Sequence, residues 1–493
     1  MKKEKPFIHL LKSPRHPYIF DVNTDSIIKV SRELYDFFLD LEHGVSVEAK
    51  DGVAEEISSL KENGYLKSYK PKGIRDPRLN QLDYLLNNRV ESLVLQVTQN
   101  CNMRCSYCSF TYGDNVRSRS HNKRSMDHAL AIKAIDFYYN HTKDAKRVNI
   151  SFYGGEPLLE FELIKQLILY SLAKFEGKDI YFNITTNAIL LTPERLKFLA
   201  SHNTTLMVSL DGPKEIHDKS RKLAGTGDGS FDLIIRQLRA LKRECPKEYK
   251  ALSFNSVIDP LNDLDSLIKF YGSDLFNDSM LALQDAVSSY SIGDFSINTP
   301  IMDTPFGTSN DGTAEFAISE RDSGLLAMYS ILGLAERSDL NPLAINIEAS
   351  IITENSRLTP STQLAEYSPK GGPCIPGVHS TFVRLDGTFF PCEKASDISD
   401  ALSIGNVENG YDYGRLHELL NIGHLTEHAC INCWAINHCS TCAIHGNMGD
   451  CLSKDLILGR CDSVKAQFKS ALYEMIALDE LRPILQAGGK HEK

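Results

Sequence analysis

From about residue 90 the sequence alternates between strand and helix periodicities, and this alternation limits the available folds more than any other feature. The strand candidates are "SLVLQV", "RVNISF", "IYFNIT", "TLMVSL", "ALSFNSV" and the shorter "SMLAL". Between most of them lie helical periodicities: "HALAIKAIDFYYNH", "FELIKQLILYSLAKF", "PERLKFLA" and "SFDLIIRQLRALKREC". Such repetition implies parallel strands joined by right-handed crossovers. Six units close only part of a barrel. The expectation is an α/β chain built on a partial (β/α)6 TIM-type barrel, with ligands at the strand C-terminal ends.

The first strand runs straight into "QNCNMRCSYCSF", where Cys101, Cys105 and Cys108 are spaced C-x3-C-x2-C. A metal that only holds a fold takes a closed shell, usually four ligands around zinc. An iron–sulfur cube also has four corners, each ordinarily tied to a thiolate. Three cysteines leave one iron without a protein ligand, and an open iron can bind a substrate or cofactor. The plain alternatives are a zinc knuckle completed by a distant His, or three unrelated buried thiols.

The rest of the cysteines sharpen this. Of twelve in 493 residues, three lie at 101–108, one at 245, and eight between 374 and 461. The opening "MKKEKPFIHLLKSPRHPY" lacks the apolar stretch of a secretory signal, so a cytoplasmic location is expected, where disulfides are uncommon. Metal is then the first explanation for two dense groups. Cys245 ends an amphipathic helical pattern and reads as structural. A net charge of −10 leaves no footprint for nucleic acid or an anionic membrane, and no apolar run reaches membrane-spanning length.

The length implies several domains. Residues 1–75 contain three short strand candidates, "FIHLLK", "YIFDVN" and "SIIKVS", then two helical patterns, "RELYDFFLDLE" and "GVAEEISSLKENG". This reads as a winged-helix-like module, either a packing appendage or a peptide-recognition domain whose sheet edge accepts an extra strand. Residues 90–284 are the barrel. Residues 285–370, opening on the polar "SSYSIGDFSINTPIMDTPFGTSNDGT", are an insertion or linker. Residues 371–465 hold the second cysteine group, and 466–493 a terminal helix and a fraying tail.

Polar residues gather where strands end. After the second strand comes "YGGEP", whose Gly154 and Gly155 permit close backbone approach and whose Glu156 offers an acceptor for an ammonium group. The third ends in Thr185, Thr186 and Asn187. The fourth gives "SLDG", with Ser209, and then "HDKSR", with Arg221, a guanidinium suited to bidentate carboxylate contact. Each alone has a structural reading as a turn or a surface ion pair.

Together, C-x3-C-x2-C, "YGGEP", "TTN" and "SLDGP…R" resemble the radical S-adenosylmethionine enzymes, over roughly residues 92–283. The resemblance implies that Cys101, Cys105 and Cys108 ligate a 4Fe–4S cluster whose open iron binds the amino and carboxylate groups of S-adenosylmethionine. Electron transfer to the sulfonium then yields a 5′-deoxyadenosyl radical that abstracts hydrogen from substrate. By position, Gly154, Gly155 and Glu156 hold the methionine amine, Asn187, Ser209 and Arg221 lie near ribose and carboxylate, and Tyr107 sits near adenine. No catalytic side chain is identified.

The later group resembles the SPASM extension of that superfamily, which carries auxiliary iron–sulfur clusters. Twelve residues separate Cys374 from Gly387 and four separate Gly387 from Cys392; Cys430, Cys433, Cys439, Cys442, Cys451 and Cys461 come next. The gap between Cys439 and Cys442 is x2 where the family has x3. The expected partition is Cys430, Cys433, Cys439 and Cys461 for one cluster, and Cys374, Cys392 and Cys442 for the other, with Cys451 as a possible eighth ligand. The whole plan resembles the radical peptide maturases. It implies a ribosomally made precursor whose leader is captured by the N-terminal module, a flavodoxin or ferredoxin reductant, and thioether cross-links as product. Carbon–carbon or ether cross-linking is the alternative within that plan. A sulfatase-type maturase, oxidising Cys or Ser to formylglycine, is a second enzymatic class, and a zinc-stabilised peptide-binding scaffold the non-catalytic one.

Overall fold

The computed structural model describes residues 5–108, 121–259, 261–276, 280–285, 314–371 and 374–488. The polar stretch that opens the predicted insertion, 286–313, lies outside them, as does the end of the tail.

All six predicted barrel strands form. Ser92–Thr98, Arg147–Gly154, Asp179–Thr186, Thr204–Ser209, Ser253–Ile258 and Met280–Asp285 lie side by side in sequence order, every neighbouring pair parallel. The first is buried from Leu93 to Thr98, as a central strand covered on both faces must be. Its neighbours alternate, with Val148, Ile150 and Phe152 buried on one and Ile180, Phe182 and Ile184 on the next. The crossover helices complete the core. Phe231–Glu244 buries Ile234, Ile235, Leu238 and Leu241, one stripe of a helical period. Cys245, at its end, is buried in the same core, a structural thiol.

The sheet does not stop at the first barrel strand. Thr381–Val383, from the second cysteine segment, pairs parallel with it through Leu93, Val94 and Leu95. Thr388–Phe390, Gly405–Asn406 and Gly410–Tyr411 extend the edge antiparallel, giving ten strands. Behind this edge Asp397 accepts from Gln96 Nε2 at 2.7 Å. Strands of two and three residues are too short to show a period, so sequence patterning did not reveal that the cysteine-rich segment continues the barrel sheet. The predicted insertion also contains two helices, Ala314–Ile331 and Pro342–Arg357, which pack on each other.

At the N-terminus Ile8–Lys12, Pro17–Asp21 and Ser26–Lys29 form an antiparallel meander followed by helices Arg32–Glu42 and Asp51–Glu62. Ile19 faces these helices, in a small core with Leu34, Phe38 and Val53. Tyr18 and Phe20, one residue either side, face the other way into a core with Phe468, Leu472 and Met475 of the terminal helix Cys461–Gly488. The module is thereby fixed to the cysteine segment. His9 stacks on Trp434 with centroids 3.8 Å apart, and buried His438 and Asp25 meet at 2.7 Å. Among the described residues no helix is long and apolar enough to cross a membrane.

Candidate cofactor site

The loop after the first barrel strand is held from two sides. Met103–Cys105 pairs antiparallel with Arg221–Leu223, placing Arg221 opposite Cys105. The Ser106 N–H donates to Ser220 O at 3.0 Å, and the Ala224 N–H to Asn102 O at 2.9 Å. Within the loop the Met103 N–H donates to Cys101 Sγ at 3.3 Å. Burial pushes the Cys101 thiol up to about 12 and the Cys105 thiol up to about 11. These three thiols lie within electrostatic range of one another, so as thiolates they need positive charge supplied among them.

The second strand closes on this loop at the two glycines. A Cβ on Gly154 would lie 2.1 Å from Thr98 O, and one on Gly155 2.2 Å from Asn100 O. The Gly155 N–H donates to Thr98 O and the Glu156 N–H to Asn100 O, at 3.0 and 2.9 Å. Gly155→Ala should therefore push the cysteine loop out of place. A loss of about 1–3 kcal/mol is expected, as for other overpacked sites. Iron retained at this loop should fall with it, measured by urea unfolding and by iron content beside Cys245→Ala as control.

Glu156 is turned inward. Its Oε1 accepts from the Leu158 N–H (3.0 Å) and Thr186 Oγ1 (2.7 Å), and its Oε2 from the Asn187 N–H (2.8 Å). Burial raises its pKa, against these hydrogen bonds. The carboxylate thus ties the glycine turn to the third strand's end. Asn187 carries the link onward, its Nδ2 donating to Asn102 Oδ1 at 2.7 Å, beside Cys101.

The fourth strand supplies the residue sequence reading missed. Asp211, read there as part of a turn, accepts from Arg221 Nε and Nη2 at 2.7 and 3.0 Å, from Tyr107 Oη at 2.6 Å, and from the Val257 N–H at 3.1 Å. Burial alone would lift this carboxyl, but the adjoining Arg221 guanidinium holds it below its usual range. Arg221 packs over the Tyr107 ring, 5.5 Å from its centroid, and lies close to Cys105. Two of its nitrogens are committed to Asp211, so the bidentate fork expected for a ligand carboxylate is directed inside the protein. Ser209 stands half-buried at its strand's C-terminal end, beside Asn255.

The later cysteines separate into sets. Cys430, Cys433, Cys439 and Cys461 line one cavity of about 70 Å3 with Ala429, Ile436 and Lys370. Cys442 lies within electrostatic range of both Cys374 and Cys392. Cys374 and Cys451 are both exposed, and the Cys451 thiol is hydrogen-bonded to adjacent Asp450. Among the described residues no three Cys, His, Asp or Glu side chains converge on a single-ion position. Four cysteines around one cavity are the donor set that an iron–sulfur cube would take, one thiolate to each iron.

Residues 95–270 match the radical SAM superfamily model. Over 462 residues the chain is 24% identical to the radical SAM cyclopropyl synthase TigE of Paramaledivibacter caminithermalis, covering 89% of this chain and 86% of TigE. It is 28% identical over 186 residues to a cysteine-type anaerobic sulfatase-maturating enzyme of Clostridium novyi, covering 36% of this chain. The chain spans about half the length of several curated relatives, 46% and 47% for two of them. The fold matches a solved structure of native anSMEcpe with bound AdoMet at TM-score 0.54 and 18% identity, over 80% of this chain and 99% of that one. Residues 95–270 are a radical SAM domain, of the superfamily that uses S-adenosylmethionine and a 4Fe–4S cluster.

Proposed function

We propose that this enzyme modifies a ribosomally made precursor peptide by installing thioether cross-links. In this reading Cys101, Cys105 and Cys108 hold the cofactor-binding cluster. Gly154 and Gly155 bring backbone against the methionine end, Glu156 holds that turn in place, and Asn187, Ser209 and Tyr107 line the nucleoside side. When bound, the cofactor and cluster supply hydrogen abstraction from an unactivated carbon. The chain has to position the peptide and keep the site dry.

The observation that carries the thioether reading is the set Cys374, Cys392 and Cys442, in which Cys442 lies within electrostatic range of the other two, while Cys451 is engaged by Asp450. Three thiolates on an auxiliary cube leave one corner for a thiolate of the peptide. Joining that sulfur to a neighbouring carbon removes two hydrogens and blocks one thiol. Mass spectrometry of the matured peptide, with thiol alkylation, tests it: loss of two hydrogens and one fewer alkylated Cys is expected. The long match to TigE, named a cyclopropyl synthase, favours carbon–carbon ring closure as the second reading. That product also loses two hydrogens but leaves every thiol alkylatable. Formylglycine would appear as an aldehyde at one Cys or Ser.

For the leader, the supporting feature is the strand Ser26–Lys29, which among the described residues pairs only with Pro17–Asp21. The Val30 N–H donates to Pro17 O, so by antiparallel alternation Ile27 and Lys29 turn their backbone groups away from that strand. An extended leader adds there by main-chain pairing. Lys29→Pro removes one outward N–H at an edge position that tolerates proline. About tenfold weaker precursor capture in an anisotropy titration is expected, with peptide-independent cofactor cleavage unchanged. Deleting the whole module is the poorer test, because Tyr18 and Phe20 are buried against the terminal helix.

A further inference from the structure

Lys370 is 7% exposed, and among the described residues its Nζ has no hydrogen-bond partner. Its side chain lines the cavity formed by Cys430, Cys433, Cys439 and Cys461. The backbone fixes it there from both directions. Before it, Ser368 pairs with Ile74 and its carbonyl accepts from the Arg75 N–H at 3.0 Å. After it, the Gly371 N–H donates to Ile436 O at 2.7 Å. Gly371 has φ +60, and a Cβ there would lie 2.0 Å from Cys439 O, so the chain passes against the cysteine loop itself. Lys370 also lies within electrostatic range of Cys461, and of His445, which accepts from the Cys442 N–H at 3.1 Å. The other lysine on this cavity, Lys465, is partly exposed and faces Asp462 at 3.8 Å.

A lysine amine buried away from water is costly without a counter-charge. Four thiolates around an iron–sulfur cube leave a net-anionic unit, and reduction makes it more so. A fixed cation in a dry wall favours the reduced form, since net charge and burial are among the levers that set such potentials. We propose that Lys370 is the outer cation of the auxiliary cluster held by Cys430, Cys433, Cys439 and Cys461, a positioning residue that raises its reduction potential. This rests on the auxiliary-cluster reading above.

The test uses the reconstituted full chain, with iron and sulfide counted before an EPR-monitored redox titration. Lys370→Met should keep its iron while the reduced-to-oxidised ratio of one auxiliary cluster falls about tenfold at fixed potential, a shift of about 59 mV for a one-electron couple. Lys370→Arg should titrate close to the parent. A parent protein carrying only the iron of one cube overturns the auxiliary-cluster reading and this proposal together. Full iron with an unmoved potential in Lys370→Met overturns the proposal alone. Should Lys370→Met fail to hold iron, loading restored by Lys370→Arg supports the charge role, and failure of both variants overturns it.

Discussion

Cys101→Ala protein is expected to fold, to keep its auxiliary iron and to lose all detectable cleavage of S-adenosylmethionine. Cys101 lies in a loop fixed from outside, by the Arg221–Leu223 ribbon and by Gly154 and Gly155, so alanine removes little packing. It does remove one of three thiolates. Iron should fall by about four per chain of about twelve, the content of one cube among three. Cys245→Ala, which alters an equally sulfur-bearing but purely packed position, should change neither iron nor cleavage. The checks are iron and sulfide counts with 5′-deoxyadenosine measured by mass spectrometry. Cleavage surviving in Cys101→Ala would remove this cysteine from the site.

The second large effect is structural. Asp211→Ala should destabilise the fold by about 3–5 kcal/mol, the cost of leaving a buried charge unpaired. The reason is the buried Arg221, which loses a bidentate partner, while Tyr107 Oη and the Val257 N–H lose their acceptor. Arg221→Met should cost a similar amount by stranding Asp211. The double variant should recover a large part of the loss, because neither charge is then buried alone. Urea unfolding of the four proteins gives the coupling directly. If the single losses simply add, the pair acts independently and the network is misread. Because Arg221 stands opposite Cys105, both single variants should also weaken iron binding at the first loop.

The barrel was legible because its strands are long enough for burial to write a pattern. "RVNISFYG" alternates with Val148, Ile150 and Phe152 inward, and its register with the flanking strands follows. The ten-strand extension was not legible: "TFV" pairs with Leu93–Leu95 and "TFF" pairs with "TFV" in turn, and three residues carry no period. The N-terminal strands were legible as strands but not as a docking surface. Tyr18, Ile19 and Phe20 are consecutive apolar residues that face two different cores, and the second core comes from the far end of the chain. In the site, cysteine spacing pointed to thiolate sets that the structure gathers, since ligand spacing is a local property. The roles of Asp211 and Lys370 were hidden because each depends on a residue brought near only by folding. Asp211 lies beside a conspicuous turn, and Lys370 sits in "SPKGGPC", which reads as a polar linker.

The central claim is that three cysteines at 101–108 hold an open-cornered cluster for S-adenosylmethionine, with auxiliary clusters behind it. Anaerobic reconstitution with iron and sulfide, followed by dithionite and S-adenosylmethionine, tests it most directly. About twelve irons per chain, as three cubes require, and 5′-deoxyadenosine formed over time are expected. Zinc in place of iron, with the S-adenosylmethionine recovered intact, would contradict it.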